Sequence, residues 1–274
     1  MNQSMIAASV SMYGLQRKMD VIADNVANIN TNGYKRKTAS FADVLTNVRQ
    51  HDQDYRQPGR ATPLGYTMGY GSMLNDINRD FSQGELVTTN VGTDFAIEGN
   101  AMFEIETANG PAWVREGNFQ LSPDGTETVL TTKQGHRVLD TNNVEIRIRA
   151  GYDMQVDTAG RVYEVKSGQA PLLVGTIKVV KPQKPELLVQ TENNYYVLPA
   201  NVNRNIVVQD LDLVAATPGG MAPASVRQGM LEHSNVTLTD EMTDLIQAQR
   251  AYQMSARALT SGDSMWGLAN NLRA

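Results

Sequence analysis

The stretch from Met5 to Gly33, MIAASVSMYGLQRKMDVIADNVANINTNG, decides the fold class. Apolar residues fall at Met5, Ala8, Met12, Leu15, Met19, Ile22, Val26 and Ile29, in alternating steps of three and four. That is the seam of a helix that packs lengthwise against another helix. The residues between the seam positions are largely polar: Gln16, Arg17, Lys18, Asp20, Asp24 and Asn25. The pattern stops at Asn30-Thr31-Asn32-Gly33, where Asn-Gly supplies the left-handed geometry that ends a helix. Gly33 is therefore the expected hinge, where the chain turns outward.

Working outward to the other end of the chain, a counterpart appears. Thr237 with Asp240 resembles a capping box, with Asp in place of the usual Glu. Leu238, Met242, Leu245, Gln249, Tyr252, Ala256 and Leu259 then repeat the same steps, and Gln249 is a polar residue suited to setting register. Met265, Trp266, Leu268 and Leu272 extend the apolar surface beyond Gly262. An ordinary amphipathic helix also carries a stripe. Two positions in seven is narrower than a core-facing helix needs, however, and matched seams at opposite ends of one chain point to pairing.

The middle reads as β. Phe95 to Glu98, Met102 to Ile105, Trp113-Val114, Phe119 to Leu121, Thr128 to Leu130, Ile146 to Ile148, Met154 to Val156, Arg161 to Tyr163, Leu172 to Val180 and Tyr195 to Leu198 are short runs of strand formers. Pro123-Asp124-Gly125 is a turn signal between two of them. Phe119 to Ser122 before Gly125 resembles Met154 to Asp157 before Gly160. Two hairpins of similar geometry explain this better than a duplication. Arg49 to Gly71 and Thr217 to Pro223 are turn-rich joints on either side of the β region. The expected fold is α+β: paired N- and C-terminal coiled-coil helices plus a central β-rich domain.

Composition narrows the function. The 274 residues are 41% hydrophobic and 19% charged, a globular balance. A net charge of −5 gives no electrostatic reason to expect nucleic acid. The chain has no cysteine, which excludes disulfides and thiolate metal sites. The first residues lack a basic region and a following apolar core, so export, if it occurs, is expected without a cleaved signal peptide.

The search for chemistry finds no constellation. His51, His136 and His233 are isolated, and no His-x-x-x-His pair is present. Gly65 to Gly71 is glycine-rich but lacks the order of a nucleotide-binding turn. Asp240, Glu241 and Asp244 sit at a helix start, where the dipole accounts for them. No catalytic, metal-binding or cofactor-binding residue is assigned, and no enzyme activity is expected. A wall-cleaving enzyme with two carboxylates far apart in sequence is the enzymatic alternative.

The segment Asp20 to Arg36, DVIADNVANINTNGYKR, resembles the N-terminal signature of flagellar rod and hook proteins. Phe81 to Leu86 with Thr89-Asn90, Asp94 to Phe103, Trp113 to Phe119, Glu232 to Val236 and Leu245 to Tyr252 are similar to further segments of that family, in family order. Asp24, Val26, Ala101 and Met102 depart from its commonest residues. The length and the segment Arg49 to Gly71 resemble the distal rod type more than the proximal type.

The resemblance implies a structural subunit that polymerises into a helical, torque-transmitting tube. Its partners would be copies of itself, neighbouring rod and hook subunits, and the flagellar type III export apparatus. It also implies residues 1–36 with 235–274 as a helical assembly domain, 37–80 as an extended arm, 81–216 as an outer β-rich domain and 217–234 as a return linker. The seams would be the assembly interface. Because a lone helix of this length is marginal in water, the ends are expected to order on assembly. The alternatives are a proximal-rod or hook-type axial subunit, and a soluble β-domain binding module whose helices pair within one monomer.

Overall fold

A computed structural model describes residues 2–43, 47–50, 65–68, 72–108, 110–191, 194–199, 201–211, 213 and 224–272. Most of the turn-rich stretch 49–71, and all of 217–223, lie outside the described residues. In chain order the elements are α1 (Asn2–Ala27), β1 (Lys37–Asp43), β2 (Asn47–Gln50), β3 (Gly65–Met68), β4 (Ser72–Arg79), β5 (Leu86–Thr88), β6 (Phe95–Glu98), β7 (Met102–Thr107), β8 (Gly110–Val114), β9 (Gln120–Asp124) and β10 (Glu127–Thr131). They continue with β11 (Arg137–Val138), β12 (Arg147–Arg149), β13 (Asp153–Val156), β14 (Arg161–Val165), β15 (Leu172–Thr176), β16 (Val179–Pro182), β17 (Val189–Gln190), β18 (Tyr196–Val197), α2 (Arg204–Val207), β19 (Val208–Leu211), β20 (Ser225–Gln228), β21 (Met230–Glu232) and α3 (Leu238–Asn271). The fold is α+β, with a helix at each end of a β-rich middle.

The chain falls into two units: Met1–Ala27, Lys37–Asn78 and Thr237–Ala274 form the first, and Asn28–Arg36 with Arg79–Val236 the second. The first contains α1, α3 and two ribbons, β1 with β4 and β2 with β3. No proline interrupts either long helix, so backbone hydrogen bonding runs through them. At the start of α3 the Thr237 hydroxyl donates to the Asp240 carboxylate, and the Glu241 N–H donates to the Thr237 carbonyl at 3.1 Å. Asp240 and Glu241 lie in the first turn, where the helix dipole favours negative charge. The helix then continues through Gly262 to Asn271.

α1 ends at Ala27, two residues short of the last seam position, Ile29. The reason lies in the second unit, where Asn28 starts a turn of its own. The Thr31 N–H donates to the Asn28 carbonyl at 3.1 Å, and the Thr31 hydroxyl donates to the Asn28 side-chain oxygen at 3.2 Å. Such local side-chain bonds compete with helix continuation.

The main sheet of the second unit runs β12-β10-β11-β7-β8-β18-β17, with β9 on β10 and β16 bridging β7 to β19. β7 is covered on both faces. Phe103 and Ile105 point into the larger core with Phe95, Ile97, Phe119 and Leu130, while Met102 joins Trp113, Val180, Tyr196 and Val207 on the opposite side. The two look-alike segments form hairpins β9–β10 and β13–β14, turned at Gly125 (φ +68°) and Gly160 (φ +73°). Leu172 to Val180 is two strands, because β15 pairs with β14 whereas β16 pairs with β7 and β19. Residues 225–232 form β20 on β6 and β21 on β5, so this part of the chain does more than link.

Candidate assembly interface

In the first unit α1 and α3 pack side by side and antiparallel: Met5 lies against Gly262 near one end, and Asn25 meets Glu241 near the other. On α1, Met5, Ala8, Met12, Leu15, Met19 and Val26 are half-buried and Ile22 is buried; Ile29, in the second unit, is also half-buried. A second covered stripe holds Gly14, Val21 and Asn25. A Cβ at Gly14 would stand 3.2 Å from the Phe41 ring of β1 and 3.3 Å from the Ser72 carbonyl of β4, so the ribbon approaches the helix closely there. α1 therefore has neighbours on two sides, which the two-in-seven seam does not reveal.

Asn25 ties three elements of this unit together. Its side-chain amide accepts from the Lys37 N–H and donates to the Lys37 carbonyl, both at 2.9 Å, and also donates to Glu241 at 3.2 Å. Asn25 is 1% exposed, so these bonds are what make its burial tolerable.

The covered side of α3 runs through Glu241, Ala248, Ser255 and Gly262, one residue every seven, with Leu245, Tyr252, Ala256 and Leu259 half-buried beside it. Small residues let helix backbones come close. A Cβ on Gly262 would already stand 3.2 Å from Met5 Cγ. Counting only apolar positions missed this stripe. Of the C-terminal seam, Leu238 (47% exposed), Met242 (42%) and Gln249 face outward. With Ile246 and, further along, Met254, Met265, Trp266, Leu268 and Leu272, they leave α3 with a large exposed apolar surface. α1 adds Ile6 and Tyr13. The helices thus find one partner inside the chain, while α3 keeps an uncovered apolar side.

The second unit is organised around one carboxylate. Glu232, nearly inaccessible, accepts from Lys35 Nζ at 2.7 Å and from the Gly84 N–H at 2.8 Å on one oxygen, and from Arg115 Nε on the other. Its carbonyl accepts from the Gly33 N–H at 2.8 Å. Lys35 also donates to the Ser82 carbonyl at 2.7 Å, and Arg115 to the carbonyls of Ala101 and Ile97. Asn235 accepts from the Arg36 N–H at 2.7 Å and donates to the Asp80 carbonyl at 2.9 Å. Burial, and then the neighbouring Arg115 charge, pushes the Lys35 amine below its ordinary value, with Glu232 pulling the other way. Burial likewise lowers Arg115. The sequence shows these segments but not their meeting point, because Lys35, Arg115 and Glu232 are far apart along the chain and no local spacing signals the contact.

Gly33 has φ +68°, and a Cβ there would stand 2.6 Å from the Glu116 nitrogen and 2.7 Å from the Arg115 carbonyl carbon. The backbone corner and its close approach both require glycine.

A helix at each end with an apolar side left open, and a β unit closed around a buried ion cluster, define a structural building block. Three family signatures match the chain: flagella basal body rod protein at residues 12–35, the D1 domain of flagellar hook protein FlgE/F/G at 96–164, and the C-terminal region of flagellar basal body rod FlgEFG protein at 227–272. Each matched segment supplies one member of the cluster: Lys35, Arg115 and Glu232. The flagellar basal-body rod protein FlgG of Borreliella burgdorferi is 30% identical over 283 residues, spanning 100% of this chain and 99% of that protein. FlgG of Bacillus subtilis is 30% identical over 278 residues, with 100% of both covered, and the rod protein FlgF of Caulobacter vibrioides is 30% identical over 248 residues, covering 89% of this chain. The chain belongs to the flagellar basal-body rod protein family and is a structural subunit of the rod, not an enzyme.

Proposed function

We propose that this chain is a distal-rod subunit that polymerises through its terminal helices into a helical tube, transmitting torque. The exposed apolar side of α3 carries this reading. Leu238, Met242 and Ile246 recur every four residues on a helix already packed through its other side. Such a surface is typical of one that meets another chain. Burying each large side chain contributes about 1.5–3 kcal/mol before ordering costs. Identical contacts that do not close into a ring generate a filament. In the polymer the seam residues of both helices would form coiled-coil layers, Gly33 would set the corner where the chain leaves α1, and neighbouring rod and hook subunits would cap the ends of the tube. In this reading the flagellar type III apparatus would deliver the subunit to the growing tube.

Met242→Asp with Ile246→Asp tests the reading. Both residues are exposed in the single chain, so folding should survive, measured by an unchanged thermal transition. Growth of rod polymer from purified subunits should be lost. Polymer growth at the parental rate would remove this face from the interface. A second reading, a proximal-rod or hook-type axial subunit, draws support from the match to the hook-protein D1 domain over residues 96–164. The position of labelled subunits in purified basal bodies separates the two.

A further inference from the structure

β5 and β6 share a dependence. Among the described residues β6 has a single ladder partner, β20, and β5 a single one, β21. Glu98 pairs with Ser225 and Leu86 with Glu232, so both strands wait for chain that comes much later. The slot they form has a charged floor. Lys35 and Arg115 are both buried there, and the carboxylate they share arrives with β21.

We propose that residues 224–236 are a closing strand, a separable segment that docks as a single piece, carrying the Glu232 carboxylate, and without which β5, β6 and the Lys35–Arg115 pair stay open. The fit is specific along its length. Val226 and Leu231 are buried. The Gln228 side chain accepts from the Val156 N–H at 2.9 Å and donates to the carbonyls of Gly92 (2.7 Å) and Met154 (2.9 Å), joining this strand to the β13–β14 hairpin. The His233 N–H donates to the Glu85 carbonyl at 2.8 Å, and Gly84 leaves no room for a Cβ, which would stand 2.1 Å from the His233 carbonyl oxygen. Two cations cannot be buried side by side without a countercharge. Before Glu232 arrives they must stay hydrated, which holds the slot open. Docking therefore supplies the countercharge that the two cations share, completes two ladders and closes the apolar layer in one event. A chain that has not yet delivered its C-terminal part, during synthesis or threading, has an incomplete second unit.

Native-state hydrogen exchange on the full-length protein tests this. The laddered amides of β5, β6, β20 and β21 should share one opening, populated at least about tenfold more often than the opening that exposes β7 and β10. In Glu232→Gln the shared opening should become about a hundredfold or more easier, while β7 and β10 change far less. The proposal is overturned if β5, β6, β20 and β21 exchange only together with β7 and β10 in the wild-type chain, or if β6 stays protected when β20 opens. The wild-type measurement decides the matter even where the variant fails to fold.

Discussion

At the scale of single residues, Gly33 and Gly125 make an informative pair. Both have φ +68°, yet Gly33 faces backbone atoms at 2.6 and 2.7 Å from a would-be Cβ, whereas Gly125 has nothing within 4 Å. Gly125→Ala should therefore show only the cost of a left-handed alanine, about 1–2 kcal/mol. Gly33→Ala should add the steric conflict with the Arg115–Glu116 backbone and lose about 1–3 kcal/mol more. Urea unfolding of the two variants measures the difference directly. Equal losses would mean that the approach at Gly33 relaxes without strain. Asn-Gly announced a left-handed corner at Gly33 in the sequence. The backbone behind it could not be read there, because it belongs to a segment some eighty positions away.

At the scale of elements, the β6–β20 ladder carries an acid-sensitive pair. Glu98 accepts from Arg227 and from the Ser225 hydroxyl, at 3.0 to 3.1 Å. The bond from Arg227, then that from Ser225, holds the Glu98 carboxyl below its ordinary value of 4.5. The folded form therefore binds the proton less readily than the unfolded chain does. This contribution is present in full above the ordinary value and is lost as pH falls through the lower folded value. The unfolding midpoint should fall with acid less steeply in Glu98→Gln than in the parent across that interval. Identical slopes would show that the pair is solvated away. In α3, Gly267 has open space where a Cβ would go, whereas at Gly262 the Cβ meets Met5. Gly267→Ala should stabilise the helix by up to about 1 kcal/mol through propensity alone. Gly262→Leu should gain less or reverse sign, as followed by thermal melting of the helical signal.

The same elements show what the sequence could and could not convey. α1, α3 and the hairpin turned at Gly125 were legible, since each rests on spacing within a few residues. The covered side of α3 was not, because Ala248, Ser255 and Gly262 matter by being small, and a count of apolar positions passes over them. Nor were the partners of β5 and β6. A ladder between Leu86 and Glu232 leaves no periodic trace in either strand, and short strands with a remote partner look like loop or linker.

At the scale of the whole molecule, each unit is built from both ends of the chain. The first takes α1 from one end and α3 from the other; the second needs Lys35 from near the start and Glu232 from near the finish. Neither unit is complete until nearly all of the polypeptide is present.

The antiparallel packing of α1 on α3 has one more consequence. Because Met5 lies beside Gly262, the start of α1 and the end of α3 lie at the same end of the helix pair, and α3 overruns that point by nine residues, from Gly262 to Asn271. α1 itself runs three residues past Met5, to Asn2, so at 1.5 Å per residue the axial offset between the two helix ends is roughly 9 Å, a distance that about three extended residues span. The order in which the two helices occur is thus a property of the gene rather than of the packing. A circular permutant that joins them through a short linker, and opens the chain at an exposed hairpin such as the one at Gly125, keeps every contact of the helix pair.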